Sequence, residues 1–335
     1  MSYLETVLRR APAGVPVAAD FETVERPALR APAAGELAVR VIALSLDPYI
    51  GPRLRGRHMG EPAPAPGAAL PGFTVSQVMS SAHADFRAGD FVVAETGWAE
   101  QALVRGDLAR KVDPAYPLSA HVGVLGMPGL TAWAGVTQLA RVREGDVFSV
   151  DAAAGPVGGT AGQIARNLGA RTVGIAGGAA KCALVRERYG FDACVDYREA
   201  DWADRYKAAC GAGPTVHFEN VGLSVYGKVF PLLQNYARVV LCGLAEHYGS
   251  DGPPVSYPLG PIVGKRASVL GLVVYDFYPR LAEWVALGGP WLLEGRLALV
   301  EDTSEGVASA PAQFERLLKG QHLGKALVRI GADRV

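Results

Sequence analysis

The sequence predicts an α/β protein of two parts: an antiparallel β domain and a doubly wound parallel sheet. Three observations carry this. The chain has 335 residues, more than one ordinary domain of roughly 100–200 residues needs. Its first 120 residues are proline-rich and alternate short apolar runs with turn signals, the pattern of antiparallel strands. From about Pro128 short apolar runs alternate with helical stretches, the rhythm of parallel βαβ units.

Taken in order, Glu36–Ile42 and Asp90–Ala94 read as strands of the first part. Breakers at Asp47-Pro48, Pro66-Gly67, Pro71-Gly72 and Ala88-Gly89-Asp90 separate such runs. His58–Pro71 is rich in Pro and Ala and predicts a mobile loop. Leu130–Arg141 has an apolar helical face, and Glu144-Gly145-Asp146 makes a turn. Val147–Ala153 suits a buried strand; a glycine-rich turn, a helix over 157–168 and a strand over 172–175 follow. Helices are expected at 179–189, 201–209 and 225–233, and strands at 193–195, 215–218, 238–242 and 268–274. The tail predicts a helix over 313–318 and a strand over 326–330 that returns to the first part. No internal repeat is found.

Composition removes several functions. The 33 basic and 33 acidic side chains cancel, which leaves no electrostatic footprint for nucleic acid or an anionic membrane. No run approaches 18 apolar residues, so no transmembrane helix is expected. Met1–Arg10 carries Glu5 and lacks a continuous apolar run, so no secretory signal is expected and the localisation is read as cytoplasmic. Cys182, Cys194, Cys210 and Cys242 form no C-x-x-C pair and read as buried free thiols. The six histidines stand neither at i, i+4 nor beside a cysteine, so no metal site is expected. No Walker A pattern appears, and Gly222–Gly227 departs from the G-x-S-x-G nucleophile elbow.

The informative stretch is Ala152–Gly158. Ala153, Gly155 and Gly158 form A-x-G-x-x-G where a strand meets a helix. A small first residue permits the tight turn, Gly155 admits a pyrophosphate, and Gly158 brings helix close to strand. The helix N–H groups and dipole then face the phosphates. After the next strand stands Ile175-Ala-Gly-Gly-Ala-Ala-Lys181, with a lysine and no carboxylate. NAD enzymes place an acid there for the ribose 2′-hydroxyl, whereas a lysine pairs with a 2′-phosphate. The residues therefore point to NADP(H).

Leu46–Tyr49, Leu125–Trp133, Ala152–Gly158, Gly177–Cys182, Phe218–Gly222 and Cys242–Tyr248 occur together and in order. With them the chain resembles the zinc-independent medium-chain dehydrogenase/reductases, and among these the prostaglandin and alkenal double-bond reductases. The resemblance spans nearly the whole chain. It implies a GroES-like β domain of residues 1–122 and 300–335 and a Rossmann domain of residues 123–299. It implies NADP(H) contacts from Gly155, Pro156, Val157, Gly158, Lys181, Tyr197 and Asn220. Further contacts are implied from Cys242, Gly243, Tyr248, Leu272, Val273, Val274 and His322. Tyr49, Met127 and Tyr275 are expected to line the substrate pocket. The implied reaction is hydride transfer to the β-carbon of an α,β-unsaturated carbonyl, a small-molecule partner, by a homodimer. Negative charge then develops on the carbonyl oxygen and calls for a hydrogen-bond donor, with Tyr248 first and Tyr49 second in line. Two departures stand out: His322 where the family commonly has asparagine, and Gly249 where asparagine follows the motif tyrosine. They are expected to make the cofactor contact pH-dependent and the loop looser. A quinone oxidoreductase and a non-catalytic NADPH-binding protein are the alternatives.

Overall fold

The computed structural model describes residues 2–249 and 259–333. The chain opens with strands β1 (Tyr3–Leu8) and β2 (Phe21–Arg26), paired antiparallel. Strand β3 (Glu36–Ser45), the short helix α1 (Ile50–Arg53), and strands β4 (Phe73–Ser81), β5 (Phe91–Glu95), β6 (Gln101–Arg105) and β7 (Arg110–Lys111) follow. Next come α2 (Met127–Trp133), β8 (Val147–Val150), α3 (Pro156–Asn167), β9 (Arg171–Ala176), α4 (Ala179–Glu187) and β10 (Ala193–Asp196). Then follow α5 (Trp202–Cys210), β11 (Val216–Glu219), α6 (Leu223–Val229), β12 (Arg238–Leu241), α7 (Leu259–Lys265), β13 (Ser268–Gly271) and α8 (Leu281–Leu293). Strand β14 (Glu301–Glu305), helix α9 (Ala310–Leu318) and strand β15 (Lys325–Arg329) close the chain.

The described residues fall into two compact units. One holds residues 2–122, 248–249 and 301–333; the other holds 123–247 and 259–300.

The first unit contains a sheet of order β14-β15-β3-β4-β5-β7, with β6 also paired to β3. β3 is its long central strand, almost wholly buried, with register shifts at Ala38/Val39 and Val41/Ala43. β15 joins β3 antiparallel through Leu327↔Ser45, so the last strand returns to the first part of the chain. The sheet is not purely antiparallel, because β14 pairs parallel to β15. That edge strand reads Glu-Asp-Thr-Ser-Glu and carries no apolar alternation, so the sequence held no strand signal there. Phe21, Trp98 and Phe314 form the aromatic centre of the core, Trp98 stacked on Phe21 at 5.2 Å and meeting Phe314 edge-on at 5.4 Å. Within the expected loop over 58–71, Ala69 bridges Val7, and Glu61 pairs with Arg53 at 2.5 Å.

The second unit is a six-stranded sheet of order β10-β9-β8-β11-β12-β13, parallel throughout. Its order reverses between β8 and β11, the topological switch point at which such sheets bind ligands. The helix expected over 130–141 is α2 followed by a π-helical stretch, Ala134–Leu139. The strand expected over 268–274 stops at Gly271, and a 3₁₀ turn begins at Val274. Helix α8 carries apolar residues on all sides and contains Pro290, so no amphipathic period marked it in the sequence. Its wholly buried Trp284 donates through Nε1 to the Val124 carbonyl at 2.9 Å.

Candidate active site

Because all six strands of the second unit run parallel, their carboxyl ends share one edge. That edge collects Gly155–Gly158 after β8, Lys181 after β9, Tyr197 after β10 and Asn220 after β11. Cys242 and Gly243 join it after β12, and Leu272–Val274 after β13.

At the first of these ends the chain turns sharply. Ala152 adopts φ +44°, and the Gly155 N–H donates to the Ala152 carbonyl at 2.8 Å. Gly155 caps α3, and Pro156 at its first position needs no acceptor for a missing N–H. The first-turn N–H groups have no acceptor inside the helix. A Cβ on Gly158 would meet the Ala152 and Asp151 carbonyl oxygens at 2.7 and 2.9 Å. Only glycine permits this approach of helix to strand, which leaves a backbone cradle with the shape and polarity a pyrophosphate requires.

The second end separates like from unlike charge. Lys181 lies half-buried in the first turn of α4. Tyr197 is 45% exposed and carries the Arg198 guanidinium 6.0 Å from its ring centroid. A carboxylate does come close, contributed from β10: Asp196 Oδ1 accepts from the Gly178 N–H at 2.8 Å and the Arg198 N–H at 3.0 Å. These N–H groups, with Arg198 and Arg205 nearby, hold its carboxyl below the usual range. The sequence reading missed Arg198, a second cation beside Tyr197, and missed Asp196 because it ends a different strand, β10.

At the switch point the ends of β8 and β11 are stitched together. Asn220 donates from its backbone N–H to Asp151 Oδ1 at 2.7 Å and from Nδ2 to the Asp151 carbonyl at 3.2 Å. Cys242 and Gly243 donate from their N–H groups to the Glu219 carbonyl at 2.9 and 3.2 Å. Leu272 donates to the Leu241 carbonyl at 3.0 Å and is buried, while Val273 is 40% exposed. Burial, with the carboxyls of Asp151 and Glu219, pushes the Cys242 thiol up to about 12.

Beneath Asn220 lies a group the sequence reading did not assemble. Asp151, His217 and Glu219 bring two carboxyls and a ring nitrogen within 4.8 Å of one another, all wholly buried. Ser149 Oγ meets His217 Nδ1 at 2.7 Å, and His217 Nε2 meets Glu219 Oε2 at 3.1 Å. This Ser-His-Glu line resembles a nucleophile relay, but none of the three has exposed surface, so no substrate reaches the hydroxyl. The available signal was an acid at the carboxyl end of each of two buried apolar strands.

The remaining candidates divide between the units. In the second, Met127 opens α2, and Tyr275 stacks on Tyr278 at 6.0 Å in the 3₁₀ turn packed against α2. In the first, Tyr49 precedes α1 and packs its ring on His58 at 5.1 Å. Two residues earlier, the buried Asp47 accepts from Lys325 Nζ at 2.8 Å and from Ser45 Oγ at 2.5 Å. His322 lies half-buried in the loop before β15. Tyr248 and Gly249 also belong to this unit. A Cβ at Gly249 would sit 2.2 Å from Val15 Cγ2, so a larger residue here would require the Val15 side chain to shift. Residues 250–258, which follow Gly249, lie outside the described residues.

Two family models match: one described as the N-terminal domain of oxidoreductase over residues 5–112, the other as zinc-binding dehydrogenase over 156–287. An NADPH-dependent curcumin reductase of Escherichia coli is 37% identical, with 98% of this chain and 96% of that protein covered. A 2-alkenal reductase (NADP(+)-dependent) of Nicotiana tabacum is 31% identical, with 99% of each covered. The crystal structure of CurA from Vibrio vulnificus in complex with NADPH superposes with a TM-score of 0.91 at 35% identity, covering 98% of this chain and 99% of that one.

Proposed function

The chain belongs to the zinc-independent medium-chain dehydrogenase/reductases, and from that premise we propose that it is an NADPH-dependent reductase of the C=C bond of α,β-unsaturated carbonyls. The observation that carries this is the single edge of the second sheet, which gathers an anion cradle, two cations and an amide from consecutive strand ends. Relatives named as curcumin and 2-alkenal reductases supply the substrate class.

NADPH, when bound, supplies a hydride for the β-carbon. The chain's part is to bind and orient. The first turn of α3, from Gly155 through Gly158, holds the pyrophosphate with its N–H groups. Lys181, with Tyr197 and Arg198, takes the 2′-phosphate as charge-assisted partners. Asn220, Cys242–Gly243, Leu272–Val274 and His322 hold the nicotinamide half. Tyr248, or Tyr49, donates its O–H to the carbonyl oxygen as negative charge gathers there. A neutral donor suits that role, since it stabilises the developing enolate without removing a proton from elsewhere. Tyr49, Met127 and Tyr275 bound the substrate. The same reading makes the protein a cytoplasmic homodimer. Its four cysteines are free thiols, which suits the reducing compartment of that reading.

Purified protein mixed with NADPH and a panel of enones and enals is expected to consume NADPH and yield saturated carbonyls. Consumption with quinones alone would make it a quinone reductase. Tight NADPH binding with no turnover of either panel would make it a nucleotide-binding protein.

A further inference from the structure

The carboxyls of Asp151 and Glu219 lie too close, and too far from water, for both to be ionised. The surrounding donors show where the single proton sits. Glu219 Oε1 accepts from the N–H groups of Val221 at 2.9 Å and Gly222 at 2.7 Å. Its Oε2 faces His217 Nε2 at 3.1 Å. Ser149 accepts from the Tyr206 hydroxyl at 2.8 Å and so turns its own proton to His217 Nδ1, which leaves the histidine proton on Nε2 and pointed at Glu219. Glu219 is therefore an acceptor at both oxygens. Asp151 Oδ1 accepts from Asn220, but its Oδ2 has only a 3.3 Å approach from the Val221 N–H, which has its shorter bond to Glu219. Oδ2 is the one oxygen with room for a proton.

We propose that Asp151 carries the proton and donates it to the Glu219 carboxylate, and that this acid–carboxylate pair is the positioning element that clamps Asn220 and the Val221–Gly222 turn at the cofactor edge. Its link to cofactor binding rests on the NADPH reading above; the protonation pattern does not. Burial and the Glu219 charge push the Asp151 carboxyl well up, while the Asp151 hydrogen bond and the two N–H groups oppose the rise at Glu219. Burial lowers His217 to about 4, so the ring is neutral at neutral pH. The other groups facing the pair are neutral Tyr206 on α5, the Cys242 thiol after β12, and the Glu246 carboxylate.

The test uses the full chain, with two readouts. In NADPH titrations, Asp151→Ala is expected to raise Kd about tenfold or more, and Asp151→Asn, whose amide reproduces the protonated acid's donor, to return it within about threefold. Glu219→Gln presents an N–H where an acceptor is needed and is expected to cost as much as Glu219→Ala. The second readout is unfolding free energy against pH. Folded Asp151 holds a proton that the unfolded chain releases above about pH 4, so stability falls with rising pH until the folded carboxyl ionises. Asp151→Asn is expected to make that fall shallower by up to one proton. Rescue by Glu219→Gln but not Asp151→Asn, equal losses in both amides, or an unchanged pH slope in Asp151→Asn would overturn the proposal. Should wild type bind no NADPH, the cofactor reading fails by itself, and the slope still decides the protonation.

Discussion

Lys181 stands in the first turn of α4, one helix after the Gly155–Gly158 turn, and its proposed partner is the 2′-phosphate. Lys181→Ala is expected to weaken NADPH binding about tenfold or more and to leave NADH nearly unchanged, the scale of a lost charge-assisted contact. Equal losses in parallel titrations would remove the 2′-phosphate role. The lysine was legible because its spacing from the glycine turn is a local property of the chain. Asp196 was not, since it reaches the Gly178 N–H from a neighbouring strand. Gly249 likewise takes its meaning from Val15, more than 200 positions away.

At the scale of elements, the βαβ rhythm placed β8, α3, β9, α4, β10, α5, β11 and β12 to within a few residues. Short buried strands and amphipathic helices carry their periods in the sequence. Helix α8 and strand β14 lacked such periods, one being apolar all round and the other polar throughout. The junction of β8 with α3 makes a test at this scale. Gly158→Ala puts a methyl group against two carbonyl oxygens. It is expected to destabilise the turn by about 1–3 kcal/mol and to abolish measurable NADPH binding. Near-wild-type affinity in that variant would show that the helix does not need this close approach.

On the scale of the whole molecule, the last strand is tied to the start of the chain by one buried ion pair. Lys325 Nζ donates to Asp47 Oδ1 and, at 2.6 Å, to the Leu46 carbonyl, joining segments 278 residues apart just before Tyr49. Burial lowers the Lys325 pKa, and Asp47 opposes the shift. Lys325→Ala leaves Asp47 buried without its partner and is expected to cost about 3–5 kcal/mol, read as a lowered denaturation midpoint. Removing both charges with Lys325→Met and Asp47→Asn is expected to recover most of that loss. If the double variant is no more stable than Lys325→Ala, the pair is not what holds β15 in place.

The sequence by itself determined the two-part α/β architecture, the glycine turn proposed to hold a dinucleotide, and the cation beyond it. These follow from periodicity and turn chemistry, which act over a few neighbouring residues. Tertiary structure alone decided that β14 runs parallel to β15, that Val15 packs against Gly249, and that Asp151 meets Glu219 out of water. A carboxyl's charge depends on which other charges and dipoles are buried with it, and that company is chosen only when distant strands come together.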